Sequence, residues 1–176
     1  MLEIEIPPNT LIVLSGPAGS GKSSFAGRHF SPSQVVSSDE CRALVSDDPS
    51  NQSVSNQAFA LMHFIIHQRL RLRRLTVADA THLRAIDRRP LVDLARCFRF
   101  GLIAILFDIP LDLCLARNAR RSRIVPEDAL IDQHRLLERT SRSLAREGFG
   151  QVFVLDELTQ NEVSFTIGRR INRLQR

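Results

Sequence analysis

The residues best suited to chemistry lie near the start of the chain, in a glycine-rich stretch at 16–23 that reads Gly-Pro-Ala-Gly-Ser-Gly-Lys-Ser. An apolar run at 11–14 precedes it, and a helical pattern begins near Ser23. Glycines let backbone N–H groups curl around a phosphate, and the first turn of a helix points further amides and a positive dipole end at the same anion. The stretch therefore has the pattern of a P-loop, in which Lys22 would reach the outer phosphates of a nucleotide and the Ser23 hydroxyl would hold magnesium.

The basic residues of the chain support this interpretation. Of the 24 lysine and arginine residues, Lys22 is the only lysine. A compact ammonium group on a flexible stem is wanted against phosphates at this position, whereas arginine offers a planar fork. The one lysine of the chain therefore stands at the position where contact with phosphates favours lysine over arginine.

Two acids follow predicted strands and could complete a catalytic site. Asp79 ends a strand at 75–78, in the position of the magnesium-side carboxylate of P-loop folds. Asp39 follows a short strand at 35–37 and could take the proton of an attacking hydroxyl, or it could simply cap the helix that begins there. Arg42 lies on the same helical face as Asp39 and could hold an acidic group of the acceptor.

Four arginines lie within the seven residues 117–123, after the fourth predicted strand. P-loop kinases carry a lid at this place, where guanidinium groups neutralise the transferring phosphoryl group and water is excluded. The alternative is a solvated helix end, because arginine complements the C-terminal dipole of a helix. We favour a lid over about 117–128.

The elements that must position these residues alternate between apolar strand-like runs and helical patterns. This predicts the α/β P-loop NTPase fold, a single domain over 1–176 with a five-stranded parallel sheet flanked by helices. We expect the second strand to lie beside the first, a helix from 126 to about 147, and a C-terminal helix over 161–176. The predicted strands cover 11–14, 35–37, 75–78, 102–107 and 152–155.

Composition narrows the function classes. The start of the chain lacks the pattern of a signal peptide, and no apolar run approaches the ~20 residues of a membrane span, so we expect a cytoplasmic protein. Cys41, Cys97 and Cys114 form no Cys-x-x-Cys pair, which argues against disulfides and zinc and favours buried or half-buried thiols. A net charge of +5 and a pI near 10.3 suit a polyanionic partner such as nucleic acid.

Several segments together carry a family resemblance. The P-loop is followed by Val-Ser-Ser-Asp-x-Cys-Arg-x-Leu-Val-Ser-Asp-Asp, by Leu-Thr-Val-x-Asp-Ala-Thr, and by Arg-Asn-x-x-Arg before Val-Pro-Glu. In this combination the chain from 11 to about 155 resembles the 5′-hydroxyl polynucleotide kinase domain of bacterial polynucleotide kinase-phosphatases, which are RNA-repair enzymes of the P-loop kinase class.

The resemblance implies that the γ-phosphate of ATP is transferred to the 5′-OH end of RNA or DNA. It makes Asp39 the general base, Arg42 a ligand of the acceptor phosphate and Gln52 a further acceptor contact. Magnesium would bind Ser23, with Asp79 acting through water. The implied catalytic residues are Lys22, Asp39, Arg42, Arg117 and Arg121. The implied ATP-binding residues are Gly16, Pro17, Ala18, Gly19, Ser20, Gly21, Lys22, Ser23, Ser24, Arg117, Arg121 and Arg123.

The chain departs from the family pattern at two positions. His82 stands where the family usually has asparagine, and Ile124 stands where it has a third lid arginine, with Arg123 displaced by one residue. The family also implies phosphatase and ligase-like modules as fused or separate partners.

Two other functions fit the same residues. One is a small-molecule kinase of similar architecture, with a sugar, a nucleoside or an antibiotic as the acceptor. The other is a nucleotide-dependent binding module, in which Asp39 would have no catalytic role.

Overall fold

A computed structural model of the chain describes residues 2–121 and 123–168. The strands are β1 (Leu2–Ile6), β2 (Thr10–Ser15), β3 (Val35–Ser37), β4 (Thr76–Asp79), β5 (Gly101–Phe107), β6 (Gln151–Leu155) and β7 (Val163–Ile167). The helices are α1 (Lys22–His29), α2 (Ser38–Ser46), α3 (Ser55–Arg71), α4 (Ala85–Phe98), α5 (Leu111–Ala119), α6 (Glu127–Arg135) and α7 (Leu137–Leu144).

Five parallel strands form the central sheet, in the order β3-β4-β2-β5-β6. Strands β2 and β4 are buried along their whole length, as expected for parallel strands covered on both faces. The predicted α/β fold with its five-stranded parallel sheet is confirmed. The expected strand neighbours are wrong, because β4 lies between β3 and β2. The fully buried β4 occupies an interior position, and the half-buried, three-residue β3 forms the edge.

Alternate residues of the strands build an apolar core on each face of this sheet. Leu11 and Val13 of β2 pack against α3, α4 and α7. Ile12 and Leu14 of the same strand pack against α1, α5, α6 and the second sheet. Helices on both faces therefore hold the carboxyl ends of β2, β3 and β4 at one common edge.

A second sheet pairs the two ends of the described chain. Strands β1 and β7 are parallel neighbours in register from Leu2 with Val163 to Ile6 with Ile167. The C-terminal helix expected over 161–176 is therefore wrong at 163–167, where Val-Ser-Phe-Thr-Ile alternates with the period of a strand. The remaining part of that expectation, 169–176, lies outside the described residues.

Two smaller expectations also need correction. The helix expected from 126 to 147 is divided into α6 and α7 at Leu136, and it ends at Leu144. Cys97 is exposed, whereas Cys41 and Cys114 are buried. None of the described helices has the length and apolar character that a bilayer crossing requires.

Candidate active site

A cleft of about 780 Å³ opens at the carboxyl ends of β2, β3 and β4. It brings together residues that are far apart in the sequence: the start of α1, the first turns of α2, the α2–α3 loop and the segment that follows α5. The predicted site residues that line it are Ala18, Gly19, Gly21, Lys22, Ser23, Ser24, Asp39, Arg42, Gln52, Asp79, Arg117, Arg121 and Arg123. The remaining three, Gly16, Pro17 and Ser20, are buried within the loop itself.

The loop between β2 and α1 needs glycine at two of its positions. Gly19 has a φ of 78°, and a Cβ there would collide with the Cys114 carbonyl oxygen. Gly21 has a φ of 95° and caps α1, and its carbonyl accepts the first helical hydrogen bond from the Phe25 N–H at 2.9 Å. The backbone therefore curls tightly into the N-terminus of α1, which is the geometry of an anion-binding loop.

Lys22 is buried and folds back onto this loop. Its Nζ donates to the Pro17 carbonyl at 2.7 Å and to Ser20 Oγ at 3.3 Å. Burial lowers the pKa of Lys22 from 10.5 to about 8, Asp79 opposes this fall, and the Arg121 guanidinium adds to it. A phosphate bound in the loop would stabilise the charged form of Lys22 and so offset the effect of burial on its pKa.

Ser23 and Asp79 are joined across the base of the cleft. The Ser23 hydroxyl donates to Asp79 Oδ2 at 2.7 Å, and burial raises the pKa of Asp79 although Lys22 opposes this. A hydroxyl and a carboxylate are the hard oxygen donors that Mg²⁺ prefers. The described residues contain no group of three or more histidine, cysteine or acidic side chains that could hold a metal. A magnesium ion here would therefore need phosphate and water oxygens to complete its coordination.

Asp39 lies in the first turn of α2 without acting as its cap. The N-cap is Ser37, whose hydroxyl accepts the Asp39 N–H at 3.2 Å. The cap interpretation of Asp39 is therefore wrong, and its carboxylate is available to the cleft. Its Oδ1 atom accepts a hydrogen bond from Arg42 Nη1 at 2.5 Å and forms an ion pair with Arg123 Nη1 at 2.9 Å, and no described residue donates a hydrogen bond to Oδ2.

Arg42 is a second buried cation of the cleft, besides Lys22. It is 6% exposed, it lies over the Phe59 ring with 5.9 Å between Cζ and the ring centroid, and its buried Nε has no hydrogen-bond partner among the described residues. Burial lowers its pKa, and the neighbouring Asp39 carboxylate opposes this change. A buried donor without a partner is costly, so this position favours a ligand that supplies an anion.

The segment between α5 and α6 also lines the cleft. Asn118 closes it into a loop, because its side chain donates to the Val125 carbonyl at 2.8 Å and accepts the Val125 N–H at 3.0 Å. Arg117 lies beside the glycine-rich loop, since a Cβ placed on Gly21 would be 3.8 Å from Arg117 Nη1. Arg117 therefore lies on the phosphate side of the cleft, and Arg121 is close enough to Lys22 for its charge to lower the pKa of that ammonium group.

Comparison with protein families decides the class of this domain. The model of the family described as AAA domain matches residues 11–140, which include the glycine-rich loop, Asp39, Asp79 and the arginine segment. The chain belongs to this family. A search of curated protein sequences gives no significant match.

Solved structures similar to this AAA domain include kinases. A chain of the Pnkp1/Rnl/Hen1 RNA repair complex matches with a TM-score of 0.65 at 20% identity, over 76% of this chain and 45% of that chain. A candidate kinase from Chloroflexus aurantiacus matches with a TM-score of 0.61 at 16% identity, over 88% and 94% of the two chains. Mycobacterium tuberculosis APS kinase CysC in complex with AMPPNP and APS matches with a TM-score of 0.56 at 14% identity, over 89% and 96%. These likenesses show a P-loop kinase fold, and the chain spans less than half the length of the RNA repair chain that it matches.

Two contacts that support the cleft of the AAA domain could not be predicted from the sequence. Gln133 of α6 accepts the Ala18 N–H through Oε1 at 2.8 Å and so ties α6 to the phosphate loop. Phe59 supports Arg42 from α3. Neither residue belongs to a motif, and only the packing of α3 and α6 against the cleft identifies them.

The two positions that depart from the polynucleotide kinase pattern, His82 and Ile124, lie in different environments. His82 is buried behind the cleft, where its Nδ1 contacts the Leu14 carbonyl at 2.9 Å and its Nε2 has no partner among the described residues. Ile124 lines the cleft with 63% of its surface exposed. Arg123 does not replace the missing arginine on the phosphate side, because it contacts Asp39 and the Pro49 carbonyl.

Proposed function

We propose that this AAA domain is an ATP-dependent kinase for the 5′-hydroxyl ends of RNA or DNA. The observation that carries the proposal is the pairing of the Asp39 carboxylate with the buried, incompletely bonded Arg42 in the cleft that the glycine-rich loop also lines. An acceptor that satisfies both residues has a hydroxyl for the carboxylate and an anion nearby for the guanidinium. A 5′-OH end has both, because the phosphate that follows its first sugar lies a few bonds from the hydroxyl.

The donor half of the site binds the phosphates of ATP. Backbone amides of the loop and the Lys22 ammonium group surround them, and the Arg117 and Arg121 guanidinium groups neutralise the phosphoryl group as it transfers. Magnesium, held by Ser23 and through water by Asp79, would supply further charge neutralisation on the phosphates. Lid closure excludes water, so that the acceptor hydroxyl and not water attacks.

The acceptor half positions and activates the hydroxyl. The two arginines on Asp39 Oδ1 hold the carboxylate, and the free Oδ2 accepts the hydroxyl proton. A bond forms between the 5′ oxygen and the γ-phosphorus while the bond from that phosphorus to the bridging oxygen breaks. The products are a 5′-phosphate end and ADP, and the proton remains on Asp39 until solvent removes it.

The proposed acceptor contacts are to phosphate and hydroxyl groups, and none of them reads a base. Binding should therefore show little sequence specificity and a strong dependence on salt. The proposal includes a role in nucleic acid repair, in the cytoplasm and with phosphatase and ligase modules as partners, and the similarity to a chain of an RNA repair complex supports the repair role. That similarity concerns the fold, and the function of the whole assembly is part of the proposal.

Transfer of labelled phosphate from ATP to a 5′-OH oligonucleotide tests the proposal. We expect labelled product with the 5′-OH oligonucleotide and none with the same oligonucleotide bearing a 5′-phosphate, which is the matched control. Arg42→Ala should raise the KM for the oligonucleotide about 10- to 100-fold, because it removes a charge-assisted contact. Transfer to small hydroxyl compounds, with no transfer to oligonucleotide ends, would instead identify a small-molecule kinase.

A further inference from the structure

Arg123 makes its contacts on the acceptor side of the cleft. Its Nη1 lies 2.9 Å from Asp39 Oδ1 and donates to the Pro49 carbonyl at 3.2 Å. Pro49 belongs to the loop between α2 and α3, which also carries Gln52. The side chain of Arg123 is 26% exposed, so most of it is covered by the surrounding protein. The sequence places Arg123 among the ATP-binding residues, but its partners belong to the other half of the site.

Asp39 pairs with two arginines. Arg42 and Arg123 both pair with the same carboxylate oxygen, so two guanidinium groups face one carboxylate. Asp48 is the other acid near Arg123, and its carboxylate already accepts the Ser50 amide at 2.8 Å and the Ser50 hydroxyl at 2.5 Å. Among the described residues, Asp39 is the one acid that forms an ion pair with Arg42 or Arg123, so each guanidinium group keeps nitrogen atoms that an anionic ligand could bind.

We propose that Arg123 is an acceptor-binding residue that joins the segment after α5 to the α2–α3 loop and, together with Arg42, clamps the phosphate that flanks the acceptor hydroxyl. This inference rests on the proposed function, since the phosphate is that of a polynucleotide 5′ end. Without an acceptor, Arg123 holds the lid segment and the loop together through Asp39 and Pro49. With an acceptor, the guanidinium nitrogens that have no partner in the described residues take the phosphate, and Oδ2 of Asp39 takes the hydroxyl.

The kinetic test compares Arg123→Ala with Arg120→Ala. Arg120 is an exposed residue of the same segment and does not line the cleft. We expect Arg123→Ala to raise the KM for a 5′-OH oligonucleotide about 10- to 100-fold and to change the KM for ATP less than about 2-fold. Arg123→Lys should recover part of the loss, because it keeps the charge but not the planar fork. Arg120→Ala should leave both constants unchanged. A raised KM for ATP with an unchanged KM for the oligonucleotide would place Arg123 on the donor side and overturn the proposal.

A second measurement does not depend on activity. Backbone amide exchange over 47–54 should become faster in Arg123→Ala than in the wild-type protein, and it should not change in Arg120→Ala. Equal exchange in the two variants would overturn the joining role. A wild-type protein that transfers no phosphate to oligonucleotides would refute the proposed function and the phosphate clamp with it, while faster exchange in Arg123→Ala would still support the contact between the lid segment and the loop.

Discussion

The Ser23 hydroxyl donates a 2.7 Å hydrogen bond to the Asp79 carboxylate, which joins the start of α1 to the end of β4. If Ser23 holds magnesium directly and Asp79 holds it through water, Asp79→Asn should raise the Mg²⁺ concentration needed for half-maximal phosphoryl transfer about 10-fold or more, because an amide binds a metal-coordinated water more weakly than a carboxylate does. Glu40→Gln is the matched control, since it also converts an acid to an amide but Glu40 is exposed and does not line the cleft. A magnesium titration of the three proteins measures the effect, and coincident curves would contradict the assignment.

The low pKa of Lys22 predicts a pH dependence of nucleotide affinity. The free protein loses the ammonium charge as the pH rises through about 8, whereas bound phosphate keeps it protonated to higher pH. The affinity for ATP should therefore fall above pH 8, by up to about tenfold per pH unit. Few other groups titrate in this range, because the chain has no tyrosine and no other lysine, and burial raises the pKa of the adjacent Cys114 to about 11. Calorimetric titrations from pH 7 to 9.5 provide the measurement.

The control for this pH dependence is Lys22→Met, which removes the ammonium group. Its affinity for ATP should be low at every pH and should show no decline above pH 8. A wild-type affinity that is constant from pH 7 to 9.5 would show that Lys22 stays charged throughout.

Asp39→Asn separates a kinase from a nucleotide-dependent binding module. The amide cannot take the hydroxyl proton, so phosphoryl transfer should fall about 10²- to 10⁴-fold, while the Kd for ATP should change little. Single-turnover transfer and equilibrium ATP binding give the two numbers. The neighbouring acid Glu40, which is exposed and does not line the cleft, offers the control variant Glu40→Gln. Full transfer by Asp39→Asn would refute the assignment of Asp39 as the base.

The sequence predicts the central sheet and the donor half of the site because both depend on local patterns. The runs at 11–14 and 102–107 are continuously apolar, which is typical of strands buried on both faces. The position of Asp79 at the end of such a run predicts its approach to Ser23, since the carboxyl ends of parallel strands lie at one edge of the sheet.

The errors arise where the outcome depends on pairing between distant segments. The alternating residues at 163–167 form a strand because β1, at the other end of the chain, pairs with them. Strand order likewise depends on packing of the whole sheet, which no segment specifies by itself. The direction of the Arg123 side chain depends on where the α2–α3 loop lies, so the sequence could place it only near the phosphates.

His82 should make the protein less stable as the pH falls below neutrality. Burial is the main reason that its pKa drops from 6.5 to about 4, while the hydrogen bond to the Leu14 carbonyl opposes the drop and the charges of His63, Arg88 and Lys22 add to it. Between about pH 6.5 and 4, His82 therefore binds a proton in the unfolded chain but not in the folded chain. The free energy of unfolding should decrease across this range, by about 3 kcal/mol at most, and the contribution should level off below pH 4.

His82→Asn tests this dependence. Asparagine does not titrate, its side-chain amide can donate to the Leu14 carbonyl, and it tolerates the left-handed φ of 42° at this position. Denaturant unfolding from pH 7 to 4 should show a shallower loss of stability in the variant than in the wild-type protein. Parallel curves would mean that His82 is protonated in the folded state.

The most deeply buried charge among the described residues belongs to Arg88, which should make a large contribution to stability. Its side chain is 0% exposed, its Nε and Nη2 contact Glu147 at 2.7 and 2.5 Å, and its Nη1 donates to the His82 carbonyl at 2.6 Å. These contacts therefore fix the turn after α7 and the chain after β4 to α4. Arg88→Met leaves the half-buried Glu147 carboxylate without its partner, so it should lower the free energy of unfolding by about 3 kcal/mol, the lower end for a buried pair.

The double variant Arg88→Met with Glu147→Leu should recover part of this loss, because it replaces both charges with apolar groups of similar size.

The pH dependence of stability gives a second test of the pair. Burial alone would raise the pKa of Glu147, but the hydrogen bonds from Arg88 and Ser143 outweigh the effect of burial and lower the pKa. The stability from this pair is therefore present above the usual glutamate range and is lost as the pH falls through the lower pKa of the folded state. The exposed pair Arg135 and Asp132 supplies the control, since Asp132→Asn should change the free energy of unfolding by less than about 1 kcal/mol. Equal losses from Arg88→Met and Asp132→Asn in urea unfolding would show that the buried pair does not hold these elements together.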